Sequence, residues 1–356
     1  MRPAVRILGA LTLTGALAVG AAGQESPVGG KAQLGIFADT MKTIIPGLEG
    51  VELPPQARAA LGGLGGQRML RVHLWTPAPK PPADATASLD IPSGLQLGAT
   101  LPLELPKEGP NGPGGTPPGT PGSIPDFEFL RYWGCSTTVR PGQPKVFKSS
   151  DLPAANLRVP ALRGAQPGAA ASGPAWTDAH WPNSLQRTPS MIQAGAALPG
   201  KYALKSSYTP GVSFEIPASL NFLAPVELSI PKGTDPAKTI PLSWKPVPGA
   251  VGYVAMAVAS KGRNRSVMWT SVETDGTQFP VDFNSPEKVK ELIEKGLCMP
   301  PDKTQCNIPA TAFEGCDGVS IQLFAFGPAF EQAGSTPSVR VQTRSMAMMV
   351  LQKGQD

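Results

Sequence analysis

Apolar and polar residues alternate along much of this chain, and a period of two marks a strand that buries one face. The pattern is clear between Met69 and Trp75, where Leu70, Val72 and Leu74 alternate with Arg71 and His73. Residues 86–106 predict two strands, and strand-like runs recur at Phe127–Cys135 and Pro144–Phe147. From Tyr202 onward the signal is dense. Strands are predicted over Val226–Ile230, Ile240–Trp244, Gly252–Val258 and Ser266–Ser271, near Cys306–Pro309, and over Val319–Phe326 and Val339–Val350. Short strands so regularly spaced, with turn signals between them, predict an all-β sandwich.

Helical patterns are few. Ile36–Ile45 predicts a short helix stopped by Pro46, and Ala57–Leu64 is a second short apolar piece ending in paired glycines. Residues 285–296 carry both helix ends: Ser285 to cap, Pro286 in the first turn, Glu287 favourable to the dipole, and Gly296 to terminate. Only Val289, Leu292 and Ile293 give that helix an apolar face. Two stretches lack strand or helix period. Residues 107–124 are a Pro/Gly linker that favours an extended, solvated chain, and 149–200 are rich in Ala, Pro and Gly. The predicted organisation is an N-terminal β region over 33–148, a connecting segment over 149–200, and a β-sandwich over 201–352 with the helix inserted. The fold class is mainly β.

The first 23 residues read differently. Arg2 and Arg6 precede an apolar run, Ile7–Val19, which ends in Gly20-Ala21-Ala22-Gly23 and turns polar at Gln24. That order is a secretory signal peptide, and the run is short of the ~20 residues that span a bilayer. No later stretch is long and apolar enough to span. The expectation is export to a periplasm, a surface or the exterior.

Ser88–Lys107 can be laid on Ser213–Lys232 without a gap, matching Ser, Ile, Pro, Leu, Ala, Leu, Pro and Lys. The match keeps the alternation, with Leu101, Leu103 and Leu105 against Val226, Leu228 and Ile230. A duplicated β unit is therefore expected, with Leu103 and Leu228 both buried and both segments in the same relation to a sheet.

Charge and composition narrow the partners. The net charge is +5 over the whole chain and near +3 without Arg2 and Arg6, which is ordinary solubility charge and no nucleic-acid footprint. Pro and Gly supply about 23% of residues, which disfavours long helices and favours short strands.

The run Pro241-Leu-Ser-Trp-Lys-Pro-Val-Pro-Gly-Ala-Val-Gly-Tyr-Val-Ala-Met-Ala-Val258 resembles the second and third strands of a fibronectin type III domain, and Ser320–Gly327 resembles its late strand ending in a glycine turn. The resemblance covers about a third of the chain. It implies an immunoglobulin-like sandwich and no activity. Tyr132-Trp-Gly-Cys135 followed by Pro141-Gly-Gln-Pro144 is similar to exported bacterial proteins, which again implies no activity.

Candidate chemistry is sparse. The two histidines, His73 and His180, have no zinc-ligand spacing around them, and both read as surface residues. There is no Gly-x-Ser-x-Gly elbow, although a Ser-His-Asp triad is spatial and needs no such motif. Ser285-Pro-Glu-Lys288 satisfies Ser-x-x-Lys, which a capping serine already explains. Asp275-Gly276 and Asp317-Gly318 are turn signals, and Gly62–Gly66 is a flexible turn. Trp176, Trp181, Tyr202 and Tyr208 could stack on glycans or cover the sandwich. Asp178, Glu215 and Glu227 are candidate carboxylates for a glycosidase pair, which the sequence does not pair.

In an oxidising compartment the four cysteines allow three pairings. Cys298 with Cys306 closes a short Pro-bent loop, leaving Cys135 with Cys316 to tie the halves together. No cofactor and no metal is expected. The leading reading is a non-enzymatic exported protein of the bacterial envelope that binds an envelope polysaccharide or another envelope protein, through Trp176–Tyr208 or Ser285–Cys306. The alternative is a secreted hydrolase or accessory module acting on polysaccharide. If the leader is cut as read, mass spectrometry of the exported chain finds a new N-terminus within a few residues of Gln24. Retention of Met1 in a membrane fraction would contradict it.

Overall fold

The computed structural model describes residues 31–44, 66–77, 81, 84–105, 126–151, 176–182, 191–262, 264–275 and 284–352. The expected pieces at 57–64 and 107–124, and the leader, lie outside them. The described residues are mainly β. The strands are β1 (Gln33–Ile44), β2 (Gln67–Pro77), β3 (Ala87–Asp90), β4 (Thr100–Leu103), β5 (Glu128–Trp133), β6 (Lys145–Lys148), β7 (Trp176–Trp181), β8 (Met191–Ile192), β9 (Gly200–Ser206) and β10 (Val212–Ile216). They continue with β11 (Leu228–Ser229), β12 (Ile240–Trp244), β13 (Gly252–Lys261), β14 (Arg265–Thr270), β15 (Gln305–Ile308), β16 (Gly318–Gln332) and β17 (Ser338–Gln352). Among the described residues one α-helix, α1 (Pro286–Glu294), sits between β14 and β15.

Ten strands form one sheet in the order β6-β5-β14-β13-β16-β17-β1-β2-β7, with β8 also paired to β2. Two smaller sheets, β10-β9-β3-β4 and β11-β12-β15, cover it. Both lie on the same face of the large sheet, as β17 shows. Val339 and Val341 enter a core shared with the four-stranded sheet, while Ala347, Met349 and Leu351 enter a core shared with the three-stranded one. These residues are all of one parity, and a strand alternates its faces. β1 repeats the pattern, with Leu34, Ile36 and Ala38 in the first core and Ile44 in the second.

The strip between the cores is polar on that inner face and fully buried. Thr40 Oγ1 donates to the Leu223 carbonyl at 2.8 Å, Thr343 Oγ1 donates to Pro328 at 3.0 Å, and Ser345 Oγ accepts from the Val226 amide at 3.2 Å. Thr40 and Ser345 thereby pin the segment that carries the chain from β10 to β11, and Thr343 holds β16. Gly327 lies in the same strip, at a register shift in β16. A Cβ there would meet Thr343 Oγ1 and Leu223, so the close approach requires glycine.

The strands forecast from Ile240 onward form where the alternation placed them, and β2 buries Leu70, Val72 and Leu74. The helix forecast over 36–45 is instead β1. Its Ile, Phe and Thr residues suit a pleated surface, and β17 on one side and β2 on the other take its backbone hydrogen bonds. The expected break near residue 200 does not separate the strands. β3 and β4, from the first region, share a sheet with β9 and β10, from the last.

The internal echo repeats in burial and local turn but not in pairing. Leu103 and Leu228 are 5% and 4% exposed. The Leu95 amide bonds to the Pro92 carbonyl as the Leu220 amide bonds to Pro217, at 3.1 and 3.0 Å. Yet β4 pairs with β3, whereas β11 pairs with β12 in another sheet.

Helix α1 is capped as its sequence indicates. Ser285 Oγ accepts from the Lys288 amide, and Val289 and Leu292 dock on Val254 and Phe326, on the outer face of the large sheet. Among the described residues no helix is long and apolar enough to cross a membrane.

The cysteine pairing differs from the expectation. Cys135, just after β5, is bonded to Cys306 on β15, with Cα atoms 5.2 Å apart, while Cys298 and Cys316 are free and buried. Cys298 packs under α1 on the outer face and its thiol donates to the Tyr253 carbonyl at 3.3 Å. Cys306 points into the core on the other side of β13, so the sheet itself keeps the expected partners apart. Burial pushes the Cys298 thiol up to about 12, which leaves it unreactive.

The bridge ties the large sheet to the three-stranded one across 171 residues of chain. Loop closure of that length corresponds to roughly 5 kcal/mol in the chain-entropy model. Replacing Cys135 and Cys306 together by Ala should lower urea-unfolding stability by about 3–5 kcal/mol; a loss under about 1 kcal/mol would contradict this.

Candidate functional site

The outer face of the large sheet concentrates the chain's chemistry at its β17-β1-β2-β7 end. Strand register sets the map. Arg340, Gly35, His73 and His180 lie in one row across the four strands, with Gln33, Trp75 and Asp178 in the next row on one side and Gln342, Phe37 and Arg71 on the other. Gly35 is what lets the aromatics gather. A Cβ on it would lie 2.7 Å from both the Phe37 and the Trp75 rings, so those rings close over its bare Cα. They meet edge to face at 6.2 Å, and His73 stacks on Trp75 at 5.1 Å.

Both histidines of the chain meet here, although 107 positions separate them. Their rings are stacked with centroids 6.2 Å apart. His73 Nδ1 lies 3.1 Å from each carboxylate oxygen of Asp178. That carboxylate orients the His73 ring. Tyr208, from the turn after β9, also feels Asp178. Burial first, and then that negative charge, push its phenol up to about 12. Its hydroxyl is buried and has no hydrogen-bond partner among the described residues.

One row further, Asp39 is held by two guanidiniums. Arg344 reaches it through Nε at 2.8 Å and Nη2 at 3.2 Å, and Arg71 through Nη2 at 2.8 Å. Both guanidiniums lie over the Phe37 ring, at 5.8 and 5.9 Å from its centroid. Burial alone would raise the Asp39 carboxyl, but the two cations outweigh it and bring it down to about 2.

A second concave region lies at the opposite end, where β5 and β6 extend the sheet beyond β14. A groove of 770 Å³ is lined by Asp126, Phe127, Glu128, Lys148, Lys261 and Arg265, and a neighbouring one of 340 Å³ shares Glu128, Lys261 and Arg265. Arg265 and Glu128 are ion-paired between them. β6, the terminal strand, exposes Val146 and Phe147 by 41% and 38%.

The sequence-derived candidates distribute as follows. Trp181 and Tyr202 are core residues, 4% and 2% exposed, and Tyr202 stacks on Phe214 at 5.2 Å and donates its hydroxyl to the Leu198 carbonyl; neither is a stacking platform for glycans. Trp176 begins β7, and Tyr208 is half-buried. Asp178, Glu215 and Glu227 fall on the large sheet, on β10 and beside β11, and Glu227 pairs with Lys245 at 2.8 Å. Lys288 Nζ of the Ser-x-x-Lys match bonds Glu291 at 2.7 Å, which leaves Ser285 as a cap. Among the described residues no cluster of His, Cys, Asp and Glu is suited to a metal ion. The reading of His73 and His180 as unrelated surface residues missed their meeting. The signal was present: His73 lies two positions before Trp75 and His180 beside Trp181, each on the polar parity of a strand.

No family model matches the chain, and a search of curated proteins returns no match.

The Asp39 carboxyl sits below its usual value of 3.8, so its stabilising contribution is present above that pH and is lost as pH falls toward 2. The contribution is about 2 kcal/mol. Asp39→Asn removes the carboxylate that both guanidiniums share and should lower stability by roughly 3 kcal/mol at pH 7, with a smaller loss at pH 3. Urea unfolding at the two pH values checks it; equal losses would contradict the assignment.

Proposed function

We propose that the chain is an exported, non-enzymatic binding or structural protein of the bacterial cell envelope, with a fibronectin type III-like unit at its C-terminal end. The order β11-β12-β15 against β14-β13-β16-β17 supports that likeness, since such sandwiches face two antiparallel sheets of this size. The Cys135–Cys306 bridge supports export, because such bonds persist where thiols oxidise. The observation that carries the binding role is the terminal strand β6. Val146 and Phe147 are its exposed apolar side chains, beside a groove, on a rigid sheet. An exposed edge with apolar anchors takes an extended segment of another protein by strand addition. The partner is therefore another envelope protein, with an envelope polysaccharide in the groove as the other occupant.

A second reading, a hydrolase acting on polysaccharide, draws on the contact of His73 with Asp178, two of the three residue types that a Ser-His-Asp triad uses. A photo-crosslinking residue at position 147 separates the readings. The binding role expects one envelope adduct in cells, recovery lowered at least fivefold by Phe147→Glu when the same residue is carried at position 146, and no turnover on ester, peptide and glycoside panels. Turnover abolished by His73→Gln would replace this reading with the hydrolase.

A further inference from the structure

We infer that the 770 Å³ groove beside β6 binds an acidic polysaccharide, a hydroxyl-rich chain carrying carboxylate or phosphate groups. The inference rests on the envelope polysaccharide of the reading above and names its chemistry. Strand register builds the site. Lys261 lies directly opposite Arg265, Arg265 opposite Glu128, and Glu128 opposite Lys148, so four charged side chains form one row across β13, β14, β5 and β6. Val267 and Trp269 follow Arg265 on the same face and enter the core, so the row lies just beyond that core. Directly opposed like charges such as Lys261 and Arg265 are destabilising on their own. Arg265 is ion-paired with Glu128, whereas Lys148 and Lys261 hold no ion pair among the described residues. With strands about 4.8 Å apart, these two uncommitted cations stand about 14 Å apart at the ends of the row.

Local geometry fixes the walls. A Cβ on Gly315 would lie 2.8 Å from Lys261 Cε and 3.0 Å from its Nζ, so the ammonium rests over a bare Cα. The Glu128 amide donates to the Asn264 carbonyl at 2.8 Å, and the Ser149 amide to the Phe127 carbonyl at 3.0 Å. Charge selects the sign of the ligand. In the groove Lys148, Lys261 and Arg265 face Asp126 and Glu128, an excess of one positive charge. Asp151, outside the lining, accepts from the Lys148 amide at 3.3 Å. The adjoining 340 Å³ groove adds Glu314 and no further cation, so the anionic group belongs in the larger one. The remaining polar groups select a saccharide. Ser149, Ser150 and Asn264 supply hydroxyls and an amide, which both donate and accept, as sugar hydroxyls do. The row also runs across the strands, whereas a peptide added to β6 would run along them.

The test titrates the full chain by calorimetry with two acidic oligomers, oligogalacturonate for the carboxylate and a phosphomannan oligosaccharide for the phosphate. Maltoheptaose is the neutral sugar and polyglutamate the polyanion without sugar. The expected result is that at least one acidic oligomer binds at least tenfold more tightly than either control, and the tighter of the two names the charged group. Lys148→Gln with Lys261→Gln should weaken that binding at least tenfold. Lys201→Gln with Lys205→Gln, which removes the same charge from β9 in the four-stranded sheet, should leave it unchanged. If the first double variant fails to fold, NMR shifts of the unaltered chain decide, expected at the Ser149 and Ser150 amides and the Asn264 side chain. An adduct at position 147 without saccharide binding would overturn this inference alone; saccharide binding without an adduct supports it and removes the protein partner. No binding, a control bound as tightly as the acidic sugars, or equal weakening by both double variants would overturn the site.

Discussion

The parallel pairing of β1 with β17 is the interaction on which the rest of the molecule depends. Twelve residues of each strand are in register, from Gln33 with Ser338 to Ile44 with Met349. β1 is also the link from β17 to β2 in the large sheet. Without it the sheet divides, and the two cores lose the strands that run through both. Strand alternation then dictates the remainder. One parity of β17 and β1 must supply side chains to both cores, and the other parity must build the outer face. The site chemistry is therefore coupled to the folding of the whole sheet.

Polar groups decide where the two cores meet. Thr40, Thr343 and Ser345 fall on the buried parity midway along their strands, where hydrocarbon would have merged the cores into one slab. Their hydroxyls instead bond to the backbone of the crossing segment and to Pro328. A buried hydroxyl without a partner is costly, so the segment is held to one path. On the outer face the Asp39 ion pairs play a related part. They fix Arg71 and Arg344 over Phe37, next to the row that holds His73 and His180.

Much of the C-terminal half was legible because its strands obey period two and are separated by Pro and Gly turns. β12 begins and ends where the alternation of Ile240, Leu242 and Trp244 begins and ends. β1 was not legible as a strand. Its first half is buried on both faces, so Leu34-Gly-Ile-Phe-Ala38 reads as a short apolar run with no alternation to reveal it. The Cys135–Cys306 bond was hidden for a related reason. Its partners are 171 residues apart and meet only when β5 adds to β14, a parallel pairing that no local pattern encodes. The outer-face cluster was half legible. His73 was placed on the polar face of its strand, but its partners come from β7, inside a stretch whose composition suggested a connector.

The direction of β1 relative to β17 has a mechanical consequence. The strands run the same way, so Gln33 lies at one end of their shared ladder and Leu351 beyond the other. Opposed pulls on those two residues act along the strands and load all of the ladder's hydrogen bonds together, in shear. An antiparallel arrangement would have let the bonds open one at a time from an end. The pairing that joins the two cores is thus also oriented to resist tension applied through Gln33 and Leu351.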